Sequence, residues 1–467
     1  MDSRFWAFQK RKCRCDLEDQ LLISEVVLIL AVGPFIYYLV TLKVSLTSFR
    51  RVRRRGRKQS CPECPVSILK PVRGLDREAY DNFASFCRLD YSEYEVLFCV
   101  NSADDPAVPI IEKLCRNFPD RNIRLLIGAP QLGASGKVNK LCRLVQEAKY
   151  DLLVISDSDV RVEPNYLLEV TAPFDNPKVG AVTVFFRSAV AGGFGATLDA
   201  VGSAVEFGTS ALLAERLEGI HFTLGATMAT TKKILAKIGG FEALVNHYVD
   251  DYELGRRITN LGYRIEIAGT PVCMIYPREK LLQFLRHELR WSIGLRNVRP
   301  LGHAAIGLTL GLPWTILAVL AAPSASVALI YVLAYLTLRC AVYLTVGKWG
   351  LRDSVVCHRW WLAPLRDAAT FAVWIASFFS NKIVWRGLEF RVKKGILIPL
   401  ATPLTDSRSN SVMLSSDAAA SNVVCSSLER STLMLKPAVD FAPRQAPSCN
   451  VGLEKREVGS ARIAEPT

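Results

Sequence analysis

Apolar residues along the chain fall into two kinds of run, long ones near the ends and short ones between polar loops. Residues 21–42 are nearly continuously apolar, and residues 304–322 and 327–346 are two further long runs. Each approaches the roughly 20 residues that an α-helix needs to cross a bilayer. Residues 367–383 form a shorter run that contains serine and asparagine. The pattern predicts a multi-pass integral membrane protein with a polar domain between its apolar ends.

The short apolar runs between residues 64 and 277 alternate with amphipathic segments. Helical periodicity predicts helices at 108–117 and 138–148. Runs without polar alternation predict buried strands at residues 66–69, 96–100, 123–127, 152–155 and 179–185. This alternation predicts an α/β fold with a mostly parallel, doubly wound sheet. Ligands of such sheets bind beyond the carboxyl ends of the strands, so polar residues there are the candidates for chemistry.

Two acidic residues, Asp157 and Asp159, follow the fourth predicted strand. Carboxylates spaced i, i+2 on a loop can chelate one divalent cation together with phosphate oxygens. They could equally cap the next helix or lie on a solvated loop, because D-x-D is a short and common pattern. Lys137 follows the third strand beside Gly133 and Gly136, and these glycines would let the backbone approach a ligand closely.

Spacing argues against several common sites. No G-x-G-x-x-G motif opens a helix, and no full Walker spacing is present, so dinucleotide-binding and P-loop interpretations fail. The close cysteine pairs, Cys13 with Cys15 and Cys61 with Cys64, lack the further ligands of a zinc site. Reduced thiols in a cytosol-facing domain are the simpler interpretation. No cysteine lies in a histidine-rich context that would support a cysteine nucleophile.

The formal net charge of +14 indicates an anionic partner or surface. Basic residues cluster at 50–58, directly after the first apolar run, where they favour the cytoplasmic side of a membrane. We interpret the cluster as a topology signal and expect no nucleic-acid partner, because no aromatic-interleaved basic surface accompanies it. A third full span at 367–383 would place the basic residues at 386–394 on the opposite side, against this tendency. A re-entrant or interfacial segment would remove the conflict.

The chain carries, in order, the motifs ILKPVRG, DYSEYEVLFCV, DDPA, GKVNKL, ISDSDVRV, FGTS, GGFEAL, DDYELG and HELRW. This series resembles the ceramide glucosyltransferase family, which includes bacterial and hopanoid-associated relatives and belongs to the GT-A superfamily. The resemblance covers about residues 64–300 and continues faintly through PLRD and VWRG. It implies a GT-A catalytic domain with three partners, namely a UDP-sugar donor, a divalent Mg²⁺ or Mn²⁺ ion and a membrane lipid acceptor.

The resemblance assigns the donor site to residues at the strand ends. Asp157 and Asp159 are the implied metal and diphosphate pair, and Asp157 is the firmer ligand because relatives sometimes have Gly at the second position. Asp105 matches the acid that faces the uracil and ribose, and Asp104 beside it is the competing choice. Both could instead belong to a turn built on Asp-Asp-Pro. We take Lys137 as a further residue of the UDP-sugar site.

The resemblance assigns the transfer chemistry to two later motifs. Asp251 aligns with the base that removes the proton of the acceptor hydroxyl in an inverting transferase. Asp250 stands where the superfamily usually has Glu, and both acids could also cap the helix that follows. Arg290 and Trp291 end a motif that the family writes Q-x-x-R-W, with His287 here at the first position. A guanidinium could hold the departing diphosphate, and an indole could wall the acceptor site.

These observations predict a membrane glycosyltransferase that moves a hexose, with glucose favoured, from a UDP-sugar to the hydroxyl of a ceramide-like lipid with inversion. A hopanoid lipid is the alternative acceptor. A non-catalytic membrane protein that binds a nucleotide-sugar or lipid is the alternative from another class. The predicted organisation is an N-terminal transmembrane anchor with a basic linker (1–63), a GT-A catalytic domain (64–277), an amphipathic interfacial helix (278–300), a C-terminal membrane region (301–401) and a disordered tail (402–467).

Overall fold

The computed structural model of the chain describes residues 19–55, 64–190, 192–385, 387–400 and 422–424. Cys13, Cys15 and Cys61 lie outside these residues, as do the end of the basic linker and most of the predicted tail. Three residues of that tail are described, and they form a short strand at the sheet edge. The described cysteines are free, as expected for reduced thiols.

The chain after residue 64 is built around a mixed sheet. Its strands are β1 (Val66–Pro71), β2 (Tyr94–Val100), β3 (Asn122–Ile127), β4 (Leu152–Ser156), β5 (Val160–Arg161), β6 (Val179–Val190), β7 (Thr227–Thr231), β8 (Arg264–Tyr276) and β12 (Asn422–Val424). Their order is β12-β3-β2-β1-β4-β7-β6-β8-β5. β1 to β4 are mutually parallel, as are β6 and β8, whereas β7 is antiparallel to both its neighbours.

The central strands are buried on both faces, which explains their uninterrupted apolar runs. Successive residues of a strand point to opposite faces, so Val66 and Ile68 pack into one hydrophobic core while Leu69 packs into another. Phe83 and Ile111 cover the first face from two helices, and other helices cover the second. Helices on both faces are what a doubly wound sheet requires, so the predicted α/β class is confirmed.

The predicted strands are all present, and each extends by one or more residues beyond its predicted bounds. The expectation of a mostly parallel sheet holds for β1 to β4, whereas β5, β7 and β12 pair antiparallel with their neighbours and make the whole sheet mixed. Besides the short strands β5 and β12, the sequence pattern missed β7 and β8. β7 reads TMATT, without an apolar run, and β8 contains a glycine and a proline that usually interrupt strands.

Helices flank the sheet and continue toward both ends of the chain. They are α1 (Gly33–Arg55), α2 (Ala79–Cys87), α3 (Val108–Asn117), α4 (Gly136–Glu147), α5 (Tyr166–Thr171), α6 (Phe194–Leu217), α7 (Lys232–Lys237), α8 (Asp250–Asn260), α9 (Leu281–Val298), α10 (Pro300–Ile306), α11 (Gly311–Ala321), α12 (Ala325–Tyr343), α13 (Ser354–Arg359) and α14 (Ala363–Ser377). A π-helical stretch, Leu344–Leu351, continues α12. The helices predicted at 108–117 and 138–148 correspond to α3 and α4.

Two described helical stretches, Asp19–Arg51 and Ala325–Leu351, are long and apolar enough to span a membrane. They correspond to the predicted spans at 21–42 and 327–346. The predicted span at 304–322 is not one straight helix, because α10 and α11 are bent by 45° at the break between them, as in a broken span or a re-entrant loop. If this bent pair crosses the bilayer as one broken span, three spans are available.

The apolar run at 367–383 is not among the candidate spans of the described residues. Its helix, α14, has 15 residues, fewer than the roughly 20 that a span needs. The chain then forms a small antiparallel sheet of β9 (Lys382–Trp385), β10 (Leu388–Lys393) and β11 (Ile396–Pro399). This sheet returns to the main domain, where Leu397 N–H donates to the Asn246 carbonyl at 2.8 Å. The basic residues near 391–394 therefore lie on the same side as the domain, which removes the topological conflict.

A buried ionic network joins α6, α9, α12 and α14. Arg366 contacts Glu288 at 2.6 Å and Glu206 at 3.2 Å, and Arg339 contacts Asp367 at 2.5 Å and Glu206 at 3.2 Å. Each buried guanidinium is thus paired with carboxylates, as burial of charge demands. The network fixes α9, which carries the H-x-x-R-W motif, against the C-terminal helices.

Candidate active site

The site begins at the carboxyl ends of the neighbouring strands β1 and β4. Lys70, fully buried near the end of β1, donates from Nζ to the Asp157 carbonyl at 2.9 Å. Its ammonium also lies 3.6 Å from the centroid of the Phe86 ring. Burial lowers the pKa of Lys70 to about 7, although the nearby Asp157 and Asp159 oppose this shift. Lys70 therefore stabilises the loop that carries both predicted metal ligands.

Asp159 is half-buried beside Asp157, and one of its carboxylate oxygens is unsatisfied. Its Oδ1 is buried without a hydrogen-bond partner among the described residues. Burial and, to a smaller extent, the carboxylates of Asp157 and Asp76 raise the pKa of Asp159 to about 7. Asp76 in turn accepts a short hydrogen bond from Ser158, which holds it beside the pair. The carboxyl end of β4 thus concentrates negative charge.

Lys137 lies at the amino end of α4, where Ser135 caps the helix by accepting from the Val138 amide. Its Nζ lies 2.7 Å from Asp157 Oδ1 and 3.7 Å from Asp250 Oδ2. Burial opposes its charge, but these two carboxylates raise the pKa of Lys137 above its ordinary value. One ammonium therefore links the β4 loop to the third acidic motif.

The third acidic motif opens α8, and Asp251 is the buried one of its two aspartates, with 8% of its surface exposed. Its Oδ1 accepts from the Tyr252 amide at 2.8 Å, and its carbonyl accepts from the Thr223 hydroxyl at 2.8 Å. Burial raises the pKa of Asp251 to about 7, and the adjacent Asp250 contributes in the same direction. A carboxyl group with such a pKa can accept a proton near neutral pH.

Gly225 separates the two acidic sites. A Cβ placed on Gly225 would lie 3.1 Å from Asp251 Oδ2 and 3.7 Å from Asp157 Oδ2. Both carboxylates therefore point at the space above this one residue, which a side chain there would enter. With Lys137 bound to Asp157 as well, the loops after β3 and β4 and the start of α8 converge on one position.

Asp105 and Asp104 lie in the loop after β2, the other neighbour of β1. Asp105 accepts from the Gly74 amide with both oxygens, at 3.1 and 3.0 Å, and from the Ala107 amide at 3.0 Å. Its carboxylate therefore ties the loop after β1 to the loop after β2. Asp104 is exposed, and its amide donates to Ser102 Oγ at 3.2 Å. The alternative of a turn built on Asp-Asp-Pro describes this geometry well.

Arg290 is held in α9 by Tyr248, which lies in the segment leading into α8. The Tyr248 hydroxyl accepts from Arg290 Nη1 and donates to the Arg290 carbonyl, both at 3.2 Å. Gly294 permits this approach, because a Cβ there would lie 2.5 Å from Tyr248 Cε1. Trp385 of β9 packs edge-on against the Tyr248 ring, with centroids 5.9 Å apart. The C-terminal sheet thus supports the arginine of the H-x-x-R-W motif.

Trp291 is 46% exposed and follows Arg290 on the same helix. Its indole Nε1 donates to His287 Nε2 at 2.8 Å, and the other ring nitrogen of His287 lies 3.1 Å from Asp199 Oδ2. Asp199, Glu279 and His287 each offer a potential metal-ligand atom within 4.8 Å of the other two. This group, found among the described residues, includes neither Asp157 nor Asp159.

The predicted donor-site acids nevertheless fit a divalent cation. The unpaired Oδ1 of Asp159 is a buried acceptor that a hard cation would satisfy, because such ions prefer carboxylate oxygens. Burial is the main cause of the raised pKa of Asp159, and a bound cation would relieve the added repulsion from the Asp157 and Asp76 carboxylates. Asp157, one third exposed, has one oxygen on Lys137 and directs the other toward the space above Gly225.

The structure thus brings Asp157, Lys137 and Asp251 together and places Asp159 beside them. Gly225 and Tyr248 were not predicted from the sequence, because the importance of Gly225 depends on what lies opposite it and Tyr248 is an ordinary aromatic residue there. Lys70 has the sequence pattern of a solvated loop residue at a strand end. Its place at the end of an apolar run was the available sign that its stem would be buried.

The fold and the site define a membrane-associated α/β protein whose acidic residues gather at the carboxyl ends of the strands. The family model described as glycosyl transferase family 21 matches residues 26–398. The chain therefore belongs to glycosyl transferase family 21, which confirms the resemblance inferred from the motifs.

Two relatives and one solved structure illustrate the likeness. Ceramide glucosyltransferase 3 of Caenorhabditis elegans is 28% identical over 275 residues, or 58% of this chain and 59% of that protein. Ceramide glucosyltransferase 1 of the same organism is 27% identical over 230 residues, or 48% of each chain. The mannosyltransferase PcManGT of Pyrobaculum calidifontis, solved with GDP-Man and Mn²⁺, gives a TM-score of 0.47 at 17% identity, covering 75% of this chain and 99% of that one. The alignments span 59% and 48% of the lengths of these two relatives.

Proposed function

We propose that the chain is an inverting glycosyltransferase that transfers a hexose, with glucose favoured, from a UDP-sugar to the hydroxyl of a ceramide-like lipid. One observation carries the proposal, namely that Asp157 and Asp251 direct carboxylate oxygens into the same space above Gly225. Inverting transfer needs a base on one side of the anomeric carbon and a charge-stabilised leaving group on the other. Two separately positioned acidic sites that face each other supply that arrangement.

Asp251 is the proposed base. Its Oδ1 is occupied by the Tyr252 amide, which leaves Oδ2 directed at the reaction space. Its pKa, raised to about 7 by burial, suits proton removal at neutral pH. Asp157 with Lys137 is the proposed diphosphate end of the site, where the ammonium would pair with phosphate oxygens. Asp105, or Asp104 beside it, is proposed for the nucleoside, since its loop adjoins the end of β1.

Asp157 and Asp159 would hold a divalent Mg²⁺ or Mn²⁺ ion, which would neutralise the charge that develops on the leaving diphosphate. Arg290 is proposed to add a second positive group at the same end. Its hydrogen bonds with Tyr248 hold the guanidinium in place before the donor arrives. A guanidinium that is already in position to donate hydrogen bonds need not reorganise during the reaction.

The acceptor is proposed to be a lipid because the site adjoins the membrane region. Trp291 and Leu295 on α9 leave apolar surface exposed next to the bent helices α10 and α11. Relatives named ceramide glucosyltransferases support ceramide as the first choice and glucose as the sugar. We propose a cytoplasmic catalytic domain, because the basic end of α1 precedes it directly.

The test is a sugar-transfer assay with purified protein in vesicles. Labelled UDP-glucose and UDP-N-acetylglucosamine would each be offered with ceramide or hopanoid, in Mn²⁺ or with a chelator. We expect glucose transfer to ceramide that requires the cation and yields a product of opposite anomeric configuration to the donor. Transfer to hopanoid but not to ceramide would identify hopanoid as the acceptor. A product with the anomeric configuration of the donor would exclude the proposed inverting mechanism.

The matched variants are Asp251→Asn and Asp120→Asn, which make the same chemical change at the proposed base and at an exposed loop residue. We expect the first to abolish transfer and the second to leave it unchanged. Transfer by Asp251→Asn at the wild-type rate would contradict the base assignment. Donor binding without transfer to any lipid would instead support a non-catalytic binding protein.

A further inference from the structure

Three side chains form a hydrogen-bonded chain behind the exposed indole of Trp291. Trp291 Nε1 lies 2.8 Å from His287 Nε2, and His287 Nδ1 lies 3.1 Å from Asp199 Oδ2. An indole nitrogen can only donate, so His287 Nε2 must be unprotonated to accept from it. The ring proton must then be on Nδ1, where Asp199 accepts it. Both contacts are satisfied together in this single tautomer of a neutral imidazole.

Asp199 is well suited to select that tautomer. It is 1% exposed on the buried face of α6 near the amino end of the helix, and its second oxygen accepts from Ser203 one turn further along. Burial favours the neutral acid, but the hydrogen bond from His287 and the nearby guanidinium of Arg366 lower the pKa of Asp199 below its ordinary value. Asp199 is therefore an ionised acceptor, and an acceptor is the group that holds the imidazole proton on Nδ1.

Packing alone does not fix the Trp291 ring. Nearly half of its surface is exposed, whereas Asp199 is buried and His287 is about one third exposed. An exposed side chain loses rotamer freedom only where a specific contact holds it. His287 lies one helical turn before Trp291, so its ring nitrogen meets the indole at the spacing at which residues of a helix are neighbours.

A cation bound by Asp199, Glu279 and His287 is less compatible with this geometry. Binding through Nδ1 would move the imidazole proton to Nε2, where the Trp291 N–H already donates. Two donors would then face each other. The observed contacts therefore favour a hydrogen-bonded chain over a metal centre at this group.

We propose that Asp199 is a positioning residue, which acts through His287 to hold the Trp291 indole at the acceptor side of the site. The inference rests on the proposed function for the role of Trp291, but the hydrogen-bonded chain itself does not. It assigns a role to His287, the first residue of the H-x-x-R-W motif, and to a residue of α6 that no motif includes.

Asp199→Asn tests the chain with almost no change of shape. Because the Ser203 hydroxyl donates to the other oxygen of position 199, the Asn oxygen would stay on Ser203 and its NH2 group would donate to Nδ1. That contact favours a proton on Nε2 and removes the acceptor for Trp291. We expect kcat/KM for the lipid acceptor to fall about tenfold, the scale of one charge-assisted hydrogen bond, with the KM for the sugar donor unchanged. In the His287→Gln background, the Gln amide can present its oxygen to Trp291 whichever group occupies position 199. In that background we expect Asp199→Asn to lower kcat/KM for the lipid acceptor by less than about twofold. The double-mutant cycle would then show a clear interaction between positions 199 and 287.

A spectroscopic measurement keeps the test independent of sugar transfer. The chain has 5 histidines, so a ¹⁵N-histidine spectrum of the full protein in detergent is tractable, and His287→Gln identifies one signal by its loss. We expect Nδ1 to be protonated in the wild type and Nε2 in Asp199→Asn. An unchanged tautomer, or equal losses in both backgrounds of the cycle, would overturn the proposal. Absent transfer with the expected tautomers would instead refute the proposed function and leave the hydrogen-bonded chain intact.

Discussion

Gly225→Ala adds one methyl group at the point where the two acidic sites meet. The new carbon would lie 3.1 Å from Asp251 Oδ2, a few tenths of an ångström inside ordinary contact, and 3.7 Å from Asp157 Oδ2. The glycine does not have a positive φ, so alanine can adopt its backbone conformation. The substitution therefore fills part of the proposed reaction space with little strain on the chain.

Stability and activity should separate clearly in this variant. Replacing glycine at a compatible position stabilises a protein by about 0.4–1 kcal/mol, so the tight contact with Asp251 should leave the free energy of unfolding within about 1 kcal/mol of the wild type. Displacement of a reacting group by about 1 Å can lower the rate about 100-fold, and we expect a loss of that size in kcat for sugar transfer. Thermal unfolding in detergent and the vesicle assay measure the two quantities on the same preparation.

Gly208→Ala is the matched control. Gly208 lies in α6, and a Cβ there would make only ordinary contacts at 3.6 and 3.9 Å with two apolar side chains. We expect its activity and unfolding temperature to stay close to those of the wild type. If Gly225→Ala keeps kcat within twofold of the wild type while remaining folded, the sugar is not transferred in the space between Asp157 and Asp251.

Three other predictions concern the base, the ionic network and the arginine. Because burial raises the pKa of Asp251 to about 7 and the base acts deprotonated, kcat/KM should rise with pH through about 7, as a pH–rate profile would test. Arg366→Met leaves buried carboxylates unpaired and should lower the free energy of unfolding by about 3–5 kcal/mol, part of which the second change Glu288→Gln should restore. If the losses of the two single variants simply add in the double variant, the ionic network is contradicted. Tyr248→Phe removes the hydroxyl that holds Arg290 and should lower kcat/KM about tenfold without lowering the unfolding temperature. An unchanged kcat/KM would show that Tyr248 does not position Arg290 for transfer.

The first half of the sheet was predictable because its strands are buried on both faces. Such strands are apolar throughout, and each ends where polar residues begin, which places Asp157 after β4 from the sequence alone. β7 was not predictable in this way. Its two buried threonines have hydrogen-bond partners inside the fold, since Thr230 donates to the Gly180 carbonyl and Thr227 to the Ala226 carbonyl, both at 2.8 Å. A polar residue with a partner inside the fold looks like a surface residue in the sequence.

The acids of the site were also predictable, but the residues that position them were not. Asp251 appears in the sequence as one carboxylate of a pair, and its orientation depends on Thr223, which holds its carbonyl from another loop. Tyr248 and Trp385 meet across a long separation in the chain, through a C-terminal sheet that the apolar pattern suggested was a membrane segment. Such contacts are set by tertiary packing, which overrides what a local pattern indicates.

Charge explains why these supporting residues matter for the site. Four carboxylates gather at the site, those of Asp157, Asp159, Asp250 and Asp251. Among the residues described here, Lys137 is the lysine beside them that stays fully protonated at neutral pH, because burial lowers the pKa of Lys70 to about 7. Burial is the main reason that the pKa values of three of these acids are raised, and repulsion between neighbouring carboxylates adds to it. The fold must therefore hold them in place through backbone hydrogen bonds and helix ends. The same excess of negative charge would repel a diphosphate, so the proposed donor requires a divalent cation at this end of the site.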